Sequence, residues 1–384
     1  MPTAITGSAM ISCLGDLDAT FEALLEGRSG VGPLRCGDPD RLNVRNAYPI
    51  TEGDGADAGT PRLAAGWLAR TVAAALADAG VDPARRRVAV VVGTGLRELR
   101  AVEQWHADGA GLRLAQLHFA AAVRSVAPEV TEVHTLANAC AASGYALALA
   151  ADLLELGEAD AVVAAGCDTM TESMLAMIGR VGTATADMVR PFDADRDGVL
   201  LGEGAVAVVL ERQDELPDGR RPSALLRGVG LGCDAHHETA PDRAGIVATI
   251  RDAHARAGVK PDEIGLVVAH GTSTALNDPT EAAALQEAFG REATEEAGGP
   301  LVTAVKGAVG HTSGGAALMS LLVAVAALDA GLVPPVTGLR TPVAEAATLG
   351  LVRGKPAPTD ARLAQVNAFG FGGVNAVMIV EAVR

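Results

Sequence analysis

The chain has 384 residues, 49% of them hydrophobic, 20% charged and 3% aromatic, with a formal net charge of -16. A chain of that size and apolar content buries a large core and is expected to divide into two domains or two related halves. Its negative charge argues against general binding to nucleic acid or anionic membrane, and the scarcity of aromatics argues against base stacking. The five cysteines, at positions 13, 36, 140, 167 and 233, show no CxxC and no Cys/His pair at metal-ligand spacing, so neither a disulfide framework nor a metal site is expected.

The N-terminal MPTAITGSAMISCLG lacks a basic region ahead of its apolar part. No run of about 18 uncharged apolar residues suits a membrane span, and the protein reads as soluble and cytoplasmic. A helical pattern near residues 62 to 79 ends at Gly80, Pro83 follows, and VAVVVGTG reads as a buried parallel strand. The stretch HTLANACAASG at 134 to 144 is an apolar, strand-like run that turns through small residues into an almost wholly apolar helix. A Gly-rich turn then enters the closing strand GEGAVAVVLE at 202 to 211, and the polar QDELPDGRRPSA follows.

The same order then returns. RDAHARAGVKPDEIGLVVAHGTS at 251 to 273 repeats the helix, glycine, proline and strand, with 13 residues from Gly258 to Gly271 as from Gly80 to Gly93. LVTAVKGAVGHTSGGAALMSLLVAVAALDAGLVPP echoes the segment around Cys140, and FGGVNAVMIVE echoes the closing strand. A duplicated α/β unit is predicted, with residues 1–215 as one half and 216–384 as the other. Helices too apolar for a surface imply five layers, α-β-α-β-α, with helices buried between two sheets.

Three elements of this frame carry reactive side chains at equivalent strand ends: Cys140 at a helix start, His270 after a strand and His311 before a helix. A thiol at a helix N-terminus has its pKa lowered from about 8.5, and small neighbours let the chain turn there. Imidazoles can donate to a developing oxyanion and exchange protons at neutral pH, so the set suggests acyl transfer. Each residue alone also has a plain explanation, as a packed core cysteine or a hydrogen-bonded structural histidine. The GFGG turn and Lys306 have equally plain readings.

Taken together, NACAAS, HGTSTALNDPTEA, KGAVGH and NAFGFGG resemble the motifs of the β-ketoacyl synthases of type II fatty-acid and polyketide biosynthesis, in the thiolase superfamily. RPFDADRDGVLLGEGA and DAHHETAP are similar to two further stretches, and the likeness runs from about residue 3 to 382. The resemblance implies a thiolase-like fold with the nucleophile in the first half and both histidines in the second. It makes Cys140 the acyl acceptor, His270 and His311 the groups that hold malonyl thioester and stabilise its enolate, and Lys306 their support. Cys140 and Phe371 would supply oxyanion-hole N–H groups, and Phe371 would gate the pocket, with Gly370, Gly372 and Gly373 permitting that loop to move. Thr272 and Thr274 would contact a phosphopantetheine arm, while Asp278 and Glu281 would organise the loop around His270.

The reaction so implied is ping-pong decarboxylative condensation, without a metal or other cofactor of its own. Phosphopantetheine would arrive on an acyl carrier protein, docking at Arg190 and, as weaker candidates, Arg62 and Arg70. The working form would be a homodimer, or a heterodimer with a related ketosynthase-like subunit. Two departures stand out. The glutamate that the family often carries in the helix after His311 is replaced by Ser313 and Ser320, leaving Glu281 as candidate partner for Lys306. The 96–133 segment is shorter than the family's. Other functions on the same frame would be acyl transfer to a hydroxyl or amine without decarboxylation, or a non-catalytic partner like the chain-length factors, which lack the nucleophile.

Overall fold

The computed structural model describes residues 3–51, 60, 62–181, 185–290 and 299–383. Its first half contains strands β1 (Thr3–Ile11), β2 (Val88–Gly93), β3 (Glu132–Leu136), β4 (Ala161–Asp168) and β5 (Gly204–Arg212). The second half contains β6 (Ala224–Cys233), β7 (Ile264–Val268), β8 (Leu301–Thr303), β9 (Leu363–Gly370) and β10 (Val374–Ala382). Spatial order is β1-β5-β4-β2-β3 in the first and β6-β10-β9-β7-β8 in the second, so each strand has its counterpart five places on. Direction is duplicated too. β2 runs parallel to β3 and β4, as β7 does to β8 and β9. β5 is antiparallel to β1 and β4, as β10 is to β6 and β9.

Seven helices matter here: α1 (Leu63–Ala79), α2 (Leu99–Asp108), α3 (Ala142–Glu155), α4 (Glu172–Val181), α5 (Arg243–Ala257), α6 (Asn277–Phe289) and α7 (Ala316–Ala330). The two helices read as ending in glycine do so: Gly80 and Gly258 cap α1 and α5 in the left-handed region, at φ 61° and 65°. Side chains on β2 alternate between two cores, which is why the strand is apolar throughout rather than at every second residue. Ala89 and Val91 join α3 and α7 in the central core, while Val88, Val90 and Val92 pack with α1. β9 behaves likewise, with Ala364, Val366 and Ala368 facing the centre and Leu363 and Phe369 packing on the α5–α6 side. The five layers are therefore α1, the first set of strands, α3 with α7, the second set, and α5 with α6.

Two features add to these expectations. The two sheets are joined, because three residues of β1, Thr3 to Ile5, pair antiparallel with Leu226 to Ala224 of β6. Hydrogen bonds lost at two edges are satisfied there, and the ten strands, with the short edge strand Gly350–Leu351 beside β8, form an 11-stranded sheet that wraps the central helices. The stretch Ser313–Ala330, of mean hydropathy 1.7, is also long and apolar enough to cross a membrane, yet 78% of it is buried inside the protein. It is a core helix, apolar all round because both of its neighbours are sheets.

Candidate active site

α3 and α7 each begin beside the ends of strands from the opposite half, and their starts frame one cavity of about 150 Å³. Cys140, His270 and His311 all line it, although 171 residues separate the first from the last. Cys140 lies in the turn Ala139–Ala141 just ahead of α3. Ala139 holds φ 47°, a conformation that is costly for a residue with a Cβ and that surrounding structure must enforce. Gly370, at the end of β9, comes so close that a Cβ on it would lie 3.3 Å from the Cys140 nitrogen.

The rings of His270 and His311 stand edge to face, centroids 5.6 Å apart. Ser313 donates its backbone N–H to His311 Nδ1 at 3.2 Å. Lys306 Nζ lies 3.2 Å from His270 Nδ1 and donates to the His270 carbonyl at 2.5 Å. Each Nδ1 thus faces a donor, which assigns the proton of a neutral ring to Nε2. Burial holds both rings well below the ordinary histidine range, reinforced for each by the Lys306 charge. At neutral pH the site presents two uncharged N–H donors. Lys306 is pulled down to about 8, also by burial, and is mostly cationic there.

Cys140 departs from expectation. It stands at a helix start, but burial pushes its thiol up to about 11, outweighing the Lys306 charge and the N–H groups of Phe371 and Cys140 that pull the other way. Desolvation of the thiolate is the larger effect here. Those same two N–H groups converge on the sulfur, a geometry that can also receive an oxyanion.

The loop after β7 is organised by two buried acids. Glu281 accepts from the N–H of His270 at 2.7 Å and of Gly271 at 2.8 Å, and Asp278 accepts from Thr272, Ser273 and Phe192. Glu281 also accepts from Asn277 and Asn367, and its charge, with that of Asp278, works against the burial that pulls Lys306 down. Burial raises Asp278 to about 6. Thr272 and Thr274 line the cavity with hydroxyls 3.0 Å apart. Phe371, 40% exposed, lines it with Gly370 and Gly373, whereas Gly372 lies outside and donates to the Glu238 carbonyl at 2.8 Å.

Arg190 is a poor free cation. Asp187 holds its guanidinium through two contacts, at 2.6 and 2.8 Å, and only 14% of the side chain is exposed. Arg62, the residue before α1, and Arg70 within it are exposed. Among the described residues no group of three or more His, Cys, Asp or Glu side chains is placed to hold a metal ion.

Three features were not foreseen. Asp168, at the end of β4, is wholly enclosed and accepts from Gly95, Leu96, Gly314 and the Thr94 hydroxyl at 2.6 to 2.9 Å. The acid that follows the apolar run VVAAGC was the available signal. The 96–133 segment carries α2 and a helix at Ala120–Val126. Met174, Met177 and Ile178 of α4 form an apolar wall of the cavity.

A doubled α/β unit whose central helices start at a shared cavity is the thiolase-like fold, and solved structures agree. The ishigamide ketosynthase/chain length factor superposes with a TM-score of 0.87 at 31% identity, covering 100% of this chain and 99% of that one. A β-ketoacyl synthase from Burkholderia phymatum gives 0.87 at 26% identity, with complete coverage of both. Residues 1–215 match the β-ketoacyl synthase N-terminal domain and residues 223–340 its C-terminal domain. The chain belongs to the β-ketoacyl synthase family, condensing enzymes of fatty-acid and polyketide synthesis. Among curated relatives, nodulation protein E of Rhizobium meliloti is 34% identical over 65% of this chain, a match spanning 62% of that protein's length. The 3-oxoacyl-[acyl-carrier-protein] synthase 2 of Synechocystis is 29% identical over 97% of this chain and 96% of its own.

Proposed function

We propose that this chain condenses an acyl group with a malonyl unit in polyketide or specialised fatty-acid biosynthesis. The acyl group passes from a carrier-protein thioester to the Cys140 sulfur, releasing the carrier thiol. Malonyl thioester then loses carbon dioxide, and the electron pair of the broken C–C bond forms an enolate that attacks the acyl-cysteine carbonyl. The β-ketoacyl thioester leaves on the carrier, and the sulfur regains a proton. The observation that carries this reading is the meeting of one sulfur with two neutral imidazoles, whose Nε2 atoms have no protein partner among the described residues. Neutral donors can stabilise an enolate oxygen without protonating the carbon that must attack.

In this scheme the N–H groups of Cys140 and Phe371 hold the oxyanion formed on the acyl carbonyl, and Phe371 gates the cavity on its glycine loop. Lys306 keeps His270 neutral and fixes its tautomer. Thr272 and Thr274 receive the phosphopantetheine arm, which belongs to the carrier. The family name of the Synechocystis relative supports an acyl carrier protein as partner. Arg62 and Arg70 are exposed to its acidic surface, whereas only 14% of the Arg190 side chain is. The outer edge of β3 has no neighbouring strand among the described residues, and we assign it to pairing with a second ketosynthase-like chain. Incubation with acyl- and malonyl-carrier proteins should yield a β-ketoacyl product and carbon dioxide. Acylation of Cys140 followed by transfer to a hydroxyl or amine, with no carbon dioxide, would instead establish an acyltransferase.

A further inference from the structure

One short helix, α4, separates two spaces. Met174, Met177 and Ile178, spaced i, i+3 and i+4, line the cavity that holds Cys140. Ser173, Ala176 and Arg180, on another face, line a separate cleft of about 810 Å³. α4 is thus a partition one helix thick between the apolar end of the catalytic cavity and a far larger space.

The partition is held from outside the catalytic apparatus. Glu103, on α2, accepts the N–H of Glu172 at 3.0 Å, the N–H of Ser173 at 2.8 Å and the Ser173 hydroxyl at 2.6 Å. Amides at a helix start have no partners within the helix, and a carboxylate there is also favoured by the helix dipole. At the far end Asn43 donates to the Gly179 carbonyl at 3.0 Å. There the backbone lies flush against Leu42, whose carbonyl would be 1.9 Å from a Cβ on Gly179. Glu103 lines the cleft and not the catalytic cavity.

We propose that Glu103 is a positioning residue that sets the acyl chain length accepted at Cys140, by clamping α4 as the wall of a short acyl pocket. This rests on the reading that Cys140 takes up the acyl group. The catalytic cavity, at about 150 Å³, is small beside the roughly 300–1,000 Å³ of sites that enclose a drug-sized ligand, which selects short acyl thioesters. Methionine side chains adapt locally, but a longer chain needs the helix itself to shift toward the cleft. With the carboxylate gone, two amides and a hydroxyl lose their acceptor and that shift becomes easier.

The test compares acylation of wild type, Glu103→Ala, Glu103→Gln and Met177→Ala by butyryl, octanoyl and palmitoyl thioesters, with rates read by intact-protein mass spectrometry. Wild type should prefer butyryl. Glu103→Ala should raise the octanoyl-to-butyryl ratio about tenfold while its butyryl rate stays within about threefold of wild type, the scale on which apolar pockets discriminate methylenes. Glu103→Gln, whose amide oxygen still accepts one N–H, should fall between and carries the test if the alanine variant does not fold. Met177→Ala should move the same ratio from the cavity side. General loss of structure would lower all three rates together and leave the ratio unmoved. Folded Glu103 variants with the wild-type ratio overturn the clamp, and a shifted ratio in Met177→Ala beside them would show that the acyl pocket itself is correctly placed. Wild type that takes no acyl group from any thioester overturns the proposed function and this inference together.

Discussion

Ala139–Ala141 and Ser313–Gly315 are one turn built twice. Each spans three residues, starts on a non-glycine residue at positive φ (47° at Ala139, 48° at Ser313) and leads directly into a central helix. In the first, the middle residue is Cys140, opposite Gly370 at the end of β9, and its sulfur reaches the cavity. In the second, the middle residue is Gly314, opposite Asp168 at the equivalent end of β4, and the Asp168 carboxylate accepts its N–H at 2.6 Å. A Cβ at Gly314 would lie 2.4 Å from the Thr94 Cα, so no side chain fits. Duplication supplied two strained turns at helix starts, and what stands opposite decides their use. A glycine leaves room for a substrate carbonyl, whereas a buried acid fills that room with negative charge.

The contrast can be broken in several ways. Cys140→Ala removes the one side chain that makes the first turn reactive, and acyl transfer should fall by about 10⁴-fold or more, seen as loss of the acyl adduct. Asp168→Ala strips three amides and a hydroxyl of their acceptor, and urea unfolding should show a loss of roughly 3–5 kcal/mol. A negligible loss would mean that the carboxylate does not hold the second turn. Alkylation of Cys140 by iodoacetamide should rise about tenfold per pH unit between about pH 7 and 9, because the thiolate fraction grows in that proportion below a pKa of about 11. A plateau near neutrality would show the helix end overcoming burial.

The smallest effect concerns acid, to which the two titratable groups that accept from the second turn, His311 and Asp168, respond in opposite directions. The fold keeps His311 neutral, so the unfolded chain takes up that proton first as pH falls below about 6.5 and stability drops. Asp168, raised by burial to about 6, takes up its proton in the fold first, so its contribution grows as pH falls through that value. Between about pH 6.5 and 5, His311→Gln should flatten the loss of stability and Asp168→Asn should steepen it, each by about 1 kcal/mol, read by denaturant melts. Identical slopes for the two variants would remove the electrostatic half of the contrast.

The fold was legible where a strand is buried on both faces. Val88–Val92 and Ile264–Val268 are apolar throughout, and Gly80 and Gly258 punctuate them at matching distances. The cavity's trio, Cys140, His270 and His311, was legible as three weak signals strengthened by their joint pattern. α2 and α4 were not, because α2 is a mixed-charge helix and the value of α4 lies in which cavity each face meets. Asp168 was missed since an acid closing an apolar strand looks like the start of a loop. The thiol's direction of shift was misread for a related reason: a helix start can be seen locally, while desolvation comes from chain segments far away in sequence. The pairing of Arg190 with Asp187 is a local contact, three residues apart, that charge counting alone did not reveal.

The central claim is that one sulfur and two neutral imidazoles act on a common thioester. It is tested most directly by following wild type, His270→Ala and His311→Ala with acyl-carrier protein and carboxyl-labelled malonyl-carrier protein, scoring the Cys140 adduct by mass and released carbon dioxide by label. The expected result is adduct formation in all three proteins, with carbon dioxide release lower by about 10²–10³-fold in either histidine variant than in wild type. Release at the wild-type rate from both variants, or an adduct on wild type that never leads to release, would contradict it.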